Sequence, residues 1–154
     1  MNLYLVQHGE AVSKEEDPSR PLLEKGREDI RKVADFVAEH MKIQVASILH
    51  SGKARAQQTA QILAEHLNPL EGIMMTEGLE PLAEPSIWIE RLAKTDEDSM
   101  LVGHLPHLCK LSAYLLCQDE EKKVIHFQRG GIVCLGREES GAWSIKWMII
   151  PDFL

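Results

Sequence analysis

Three short segments carry side chains that could do chemistry together. Gln7-His8-Gly9 follows the apolar run Leu3–Val6, Gly103-His104 follows Ser99–Val102, and His50-Ser51-Gly52-Lys53-Ala54-Arg55 follows Val45–Leu49. Each lies at the carboxyl end of a candidate strand. Two imidazoles and one or two guanidiniums gathered in one crevice make a locally positive pocket. A tetrahedral oxyanion is the natural ligand of such a pocket, since an arginine fork binds two oxygens at once and an imidazolium donates to a third. A neutral imidazole nitrogen can also attack phosphorus, splitting one phosphoryl transfer into two steps. The remaining demands of phosphoryl transfer are positioning and charge stabilisation. Cationic side chains around the phosphoryl oxygens meet them, so no metal and no organic cofactor is expected.

The elements that must position these residues can be read from hydrophobic periodicity. Leu3–Val6 is wholly apolar, as a strand buried on both faces of a parallel sheet would be. Ile30, Val33, Ala34, Val37 and Met41 follow helical spacing between about Leu23 and Met41. A second helix is expected over Gly52–Leu67, with Ala56, Thr59, Ala60, Leu63 and Leu67 on one face and Asn68-Pro69 ending it. Ile73–Met75 reads as a weak strand, and Ser86 could cap a short helix through Leu92. A further helix is expected after Gly103-His104-Leu105-Pro106, running to about Cys117. Val124–Phe127 and Ile132–Leu135 read as strands, and Trp143, Ile145, Trp147 and Ile149 alternate with period two. Glu138–Gly141 would turn the last two strands into a hairpin. Strands alternating with helices imply an α/β domain: a mostly parallel sheet covered by helices on both faces. Ligands of such sheets bind beyond the carboxyl ends of the strands, where the three segments lie.

Composition bounds the partners. The 154 residues, 44% hydrophobic and 27% charged, suit one soluble domain over residues 1–154 and exclude disorder and coiled coil. A net charge of −7 argues against nucleic acid and anionic membrane as partners. No apolar run approaches the ~20 residues of a membrane span. The start MNLYLVQHGE lacks a basic, signal-like region, and a cytoplasmic location is expected. Cys109, Cys117 and Cys134 contain no C-x-x-C pair and read as reduced thiols. His104 and His107 stand three residues apart, but Pro106 separates them and no third ligand is near, so zinc is not expected.

Four segments together resemble the histidine phosphatase, or phosphoglycerate mutase-like, superfamily. LYLVQHGEA is similar to its R-H-G signature, SRPLLEKG to R-P-L-[ST]-x-x-G, SGKARAQQTA to S-P-x-x-R-A-x-Q-T, and LVGHLPHL to G-H-x-P. Within the superfamily the chain resembles the small SixA-type phosphohistidine phosphatases. The resemblance implies a phosphoglycerate mutase-like fold, a three-layer α-β-α sandwich around the mostly parallel sheet. It implies that His8 is the nucleophile, that Arg55 and His104 bind and stabilise the phosphoryl oxygens, and that Arg20 is a further phosphate contact. Gly9 and Gly103 would keep the backbone clear beside the two histidines. The substrate it implies is a phosphohistidine on a protein, with a small phosphate compound as the alternative.

Two departures bear on activity. Gln7 stands where the family has arginine, and glutamine donates a hydrogen bond without charge. Losing one preorganised donor typically costs ~10²–10³ in rate, so a slowed enzyme and an inactive phosphate-binding module both fit. Lys53 or another nearby cation could compensate. Gly52 replaces the family proline and would loosen its loop. The resemblance implies that a member acting on a small phosphoester uses a carboxylic acid from the segment after the third strand, with Glu80 the first candidate and Glu84 the second. Phosphohistidine is already an activated donor and needs one less. The short Glu77–Glu84 region leaves little sequence for a lid, and an open site favours a bulky substrate.

Overall fold

The computed structural model describes all residues, 1–154. Six strands, β1 (Asn2–Gln7), β2 (Ser47–His50), β3 (Ile73–Met75), β4 (Ser99–Gly103), β5 (Ile132–Arg137) and β6 (Trp143–Ile149), form one sheet in the order β3-β2-β4-β1-β5-β6. The β1, β2, β3 and β4 strands are parallel, and the β5–β6 hairpin adds two antiparallel pairings at the β1 edge. Helices α1 (Glu24–Phe36), α2 (Ala54–Leu67), α3 (Ser86–Leu92) and α4 (His107–Cys117) cover it. The helix begun by α1 continues as a π-helical turn over Val37–Met41 and stops at Lys42, whose φ is +50°.

Strand alternation divides the core into two layers. Tyr4 and Val6 of β1 face one side, against Ile30 and Val33 of α1 and Ala60 and Leu63 of α2. Leu3 and Leu5 face the other, against Trp88 and Leu92 of α3 and Leu108 and Leu111 of α4. This is the three-layer α-β-α sandwich expected from the sequence. Both faces of β1 are dry, which is why its sequence shows no polar alternation. Each fully buried leucine contributes about 1.5–3 kcal/mol through burial.

Two expectations are corrected. Val124–Phe127 is not a strand. Its alternation is real, since Ile125 and Phe127 are buried among Leu5, Leu101 and Val133 while Val124 and His126 are exposed. It packs across a sheet face, however, and no strand pairs with it. In β6 the period of two breaks. The ladder slips between Cys134 and Leu135, so Trp147 opposes Cys134, Ile145 opposes Leu135, and Lys146 is left over. One extra residue in a strand turns the side chains beyond it to the other face. Trp147 therefore packs toward α1 and α2, with its ring 5.9 Å from Tyr4, and Trp143 packs toward α3 and α4. All three cysteines are free; Cys134 is buried, while Cys109 and Cys117 on α4 are partly exposed.

The loop after β1 is clamped onto α1. Leu23 donates its N–H to Glu10 O at 3.0 Å, and Ala11 bridges Leu22. A Cβ on Gly26 would lie 2.2 Å from that same Glu10 oxygen, and one on Gly9 would lie 2.6 Å from Ile30 Cδ1. The glycine at position 9 thus serves the packing of α1.

Candidate active site

The two histidines are brought together by strand register. Gln7 of β1 pairs with Gly103 of β4, and the His8 N–H donates to Gly103 O at 3.2 Å. The next residues leave the sheet side by side, with His8 and His104 rings 5.0 Å apart at 51°. Both are buried.

His8 is held in one tautomer. Its Nδ1–H donates to Gly9 O at 2.7 Å, leaving Nε2 with its lone pair. Arg55 Nε, at 3.3 Å, donates to that Nε2. Burial pushes His8 down to about 4 from the usual 6.5, against the pull of the Gly9 hydrogen bond. The Arg55, Arg129 and Arg20 charges push the same way as burial. The ring is therefore neutral at pH 7, which is what a nitrogen nucleophile requires.

His104 makes one side-chain hydrogen bond, 2.6 Å between Nε2 and Ser51 Oγ. Its Nδ1 is buried without any partner in the protein. An unpaired buried polar atom costs about 1–3 kcal/mol, and a bound oxyanion is a partner the chain itself does not provide. Burial brings His104 down to about 3, with His8, Arg55, Lys53 and His107 adding to the effect.

Helix α2 ties the site together. Thr59 is fully buried; its hydroxyl accepts the Gly9 N–H at 3.1 Å and donates to Arg55 O at 2.7 Å. One side chain thus joins the loop after His8 to the turn that carries Arg55. Gln58 Oε1 accepts the Leu22 N–H at 2.8 Å and fixes the segment behind Arg20. Sequence reading places Thr59 on the buried helix face, but hydroxyl partners across 50 residues have no local signal. Arg20 stands at φ +48°, left-handed backbone that non-glycine residues rarely adopt. Its Nε donates to Val12 O at 3.1 Å. Burial and then the Arg20 charge both push Arg55 below its usual value.

Gly52 is not a loosened proline. Its φ is +86°, which proline cannot reach, and His50 Nδ1 accepts its N–H at 3.1 Å. Glu80 Oε2 accepts the Gly78 N–H of its own loop at 2.9 Å, and the ionisable group that feels its charge is His107. Glu84 is exposed just before α3. Neither carboxylate hydrogen-bonds His8, His104 or Arg55. His107 is buried with both ring nitrogens unpartnered, and burial lowers it to about 4. Arg129 has almost no signature in the sequence beyond a lone basic residue before Gly130-Gly131, and the candidate residues do not include it. No group of three or more His, Cys, Asp or Glu side chains could hold a metal ion, and no helix is long and apolar enough to cross a membrane.

These shifts make a testable pH dependence. Unfolded, His8, His104 and His107 titrate near 6.5; folded, near 4, 3 and 4. Between those values the unfolded chain binds more protons. Stability therefore rises with pH there: the contribution is full above 6.5 and is lost as pH falls through 6.5 toward 4. Thermal melts are expected to drop across that window. The His8 ring resonances of the free protein are expected to titrate near pH 4. A midpoint near 6.5 would contradict a buried, neutral nucleophile.

A family model described as the histidine phosphatase superfamily (branch 1) matches residues 3–84, more than half of the chain. No curated protein matches the chain by sequence. Among solved structures, the protein histidine phosphatase SixA complexed with tungstate superposes with a TM-score of 0.85 at 23% identity, covering 99% of both chains. The α-ribazole phosphatase of Shigella flexneri gives 0.80 at 15% identity, over 98% of this chain and 97% of its own. A phosphoserine phosphatase mutant of Entamoeba histolytica, bound to phosphoserine, gives 0.73 at 15%, over 99% and 98%.

Proposed function

The chain belongs to the histidine phosphatase superfamily, and from that premise we propose that it is a metal-independent phosphatase acting on phosphohistidine of a protein substrate. His8 Nε2 attacks phosphorus, the bond from phosphorus to the substrate imidazole breaks, and the phosphoryl group rests on His8. The leaving imidazole takes a proton from solvent. Water then attacks the phosphorus, the bond to Nε2 breaks, and inorganic phosphate leaves with His8 neutral again. Arg55, Arg20 and His104 face the charge on the phosphoryl oxygens through both steps, where preorganised donors act most strongly.

The observation that carries this reading is the 2.7 Å bond from His8 Nδ1–H to Gly9 O. It fixes the tautomer whose lone pair is on Nε2, the nitrogen facing Arg55. The Glu77 region supports a bulky substrate, because Arg91 of α3 holds it down. Arg91 donates to Thr76 Oγ1 at 2.9 Å and to Glu77 Oε1 at 3.0 Å. Glu80 supports an activated donor, because its carboxylate is occupied by Gly78.

Gln7 motivates the second reading, a binder without turnover. The test is phosphate release from a phosphohistidine-bearing protein beside release from phosphoserine, with wild type and Glu80→Gln. The glutamine oxygen can still accept from Gly78, so the loop is retained. Phosphohistidine is expected to be the better substrate, with little loss in Glu80→Gln. A fall of ~10²–10⁴ in Glu80→Gln, the range of general acid catalysis, would shift the assignment to a small phosphoester. No release from either compound would leave the binding module.

A further inference from the structure

Charge around His8 is supplied from one side of its loop. Arg55 comes from α2 and Arg20 from the segment before α1, whereas the residue that ends β1, Gln7, is buried and neutral. On the β5 side of β1, a turn fills the space beside it. Gln7 O accepts the Gly130 N–H at 2.9 Å, and Gln128 O accepts the Gly131 N–H at 3.0 Å. Gly130 has φ +74°, which closes the turn without a side-chain penalty. Phe127, buried just upstream, anchors the segment that enters it.

This turn presents Arg129. The residue is exposed, and its guanidinium makes no salt bridge and no hydrogen bond. With Gln7 and Leu105 it lines a cleft of about 360 Å³. Glu10 and Asp152 line the same cleft but neither pairs with Arg129, and Asp29 there is paired with Lys25. Its charge nevertheless reaches the nucleophile, acting on His8 more strongly than Arg20 does. An unpaired arginine on a turn anchored to the backbone of Gln7, the neutral residue next to His8, has a specific use.

We propose that Arg129 binds the phosphoryl oxygens of the substrate and supplies the positive charge that Gln7 does not. The proposal deepens the phosphatase reading and rests on it for the identity of the ligand. The guanidinium would approach from the β5 side, opposite Arg55, so the two forks would bracket the oxyanion. Lys53 is the other cation near the pocket, but its charge falls on His104 rather than on His8.

The test uses the full chain, tungstate as the oxyanion probe, and calorimetry in parallel with phosphate release. Arg129→Ala is expected to weaken tungstate binding and to lower kcat/KM by roughly tenfold to a hundredfold, the size of one charged hydrogen bond. Arg129→Lys is expected to keep part of both. Adding Gln7→Arg to Arg129→Ala is expected to restore most of the loss, because the charge returns to the same pocket. Tungstate binding unchanged in Arg129→Ala would overturn the proposal, as would a rescue no larger than the gain Gln7→Arg gives alone. Arg129-dependent tungstate binding in a wild type that never releases phosphate would uphold the oxyanion role and reject the phosphatase reading instead.

Discussion

His8→Ala is expected to lower phosphate release by roughly 10⁶-fold, the scale seen when a covalent nucleophile is removed. The reason is geometric. Only His8 combines a fixed tautomer, its Nε2 unprotonated and held by nothing but a long 3.3 Å contact, with a position against Arg55 and His104. The Nε2 of His104 is occupied by Ser51, and no cysteine belongs to the pocket. Without the His8 Nε2, water must attack the substrate directly, with the cations as the only assistance. The fold is expected to survive, because the ring's own hydrogen bond is local, to the next residue. His8→Asn is the companion variant, since its amide can still donate to Gly9 O. Wild type quenched in alkaline denaturant, where a phosphorus–nitrogen bond persists, should carry label from a labelled phosphohistidine substrate, and neither variant should. Release at the wild-type rate from either would remove His8 from the chemistry.

Much of this arrangement was legible in the sequence, and the reasons are particular. The β1 strand announced itself because both its faces are dry. The carboxyl-end rule then located His8, His50 and His104 without any structure, since parallel strands must end on one side. The helix face of Ala56, Ala60 and Leu63 was legible because α2 has one wet side. What stayed hidden was contact across long sequence separations. Thr59 reads as a core residue until its hydroxyl is seen to link Gly9 and Arg55. Arg129 gives no signal in the sequence; the Gly130–Gln7 hydrogen bond is what brings its turn to β1. Val124–Phe127 misled because alternation reports which side chains are buried, whereas a strand also needs a neighbour with free backbone groups. The β6 stripe misled because a bulge leaves composition untouched while reversing the face.

Arg55→Ala is expected to lower kcat/KM by about 10²–10³, the cost of losing one preorganised donor, and yet to leave the free protein as stable as before or slightly more so. Three features oppose the guanidinium where it stands. It is partly buried, it faces Arg20, and it occupies the first turn of α2, at the positive end of the helix dipole. A cation in that last position is disfavoured by about 0.3–1 kcal/mol. Its one evident return in the free protein is the 3.3 Å contact to His8, a neutral acceptor. Once a phosphoryl dianion is bound, the electrostatic penalties reverse, because the anion faces both arginines and the helix terminus together. The melting temperature is therefore expected to hold or rise in the free variant, and the stabilisation conferred by tungstate to shrink. Removing this charge should also let the His8 midpoint move up from about 4, since Arg55 contributes to holding it there. Arg55→Lys should recover the His8 shift better than the rate, because an ammonium restores the charge but not the planar fork. A variant that lost stability and activity together, with no change at His8, would make Arg55 a structural residue of α2 and leave the phosphoryl group to Arg20 and His104.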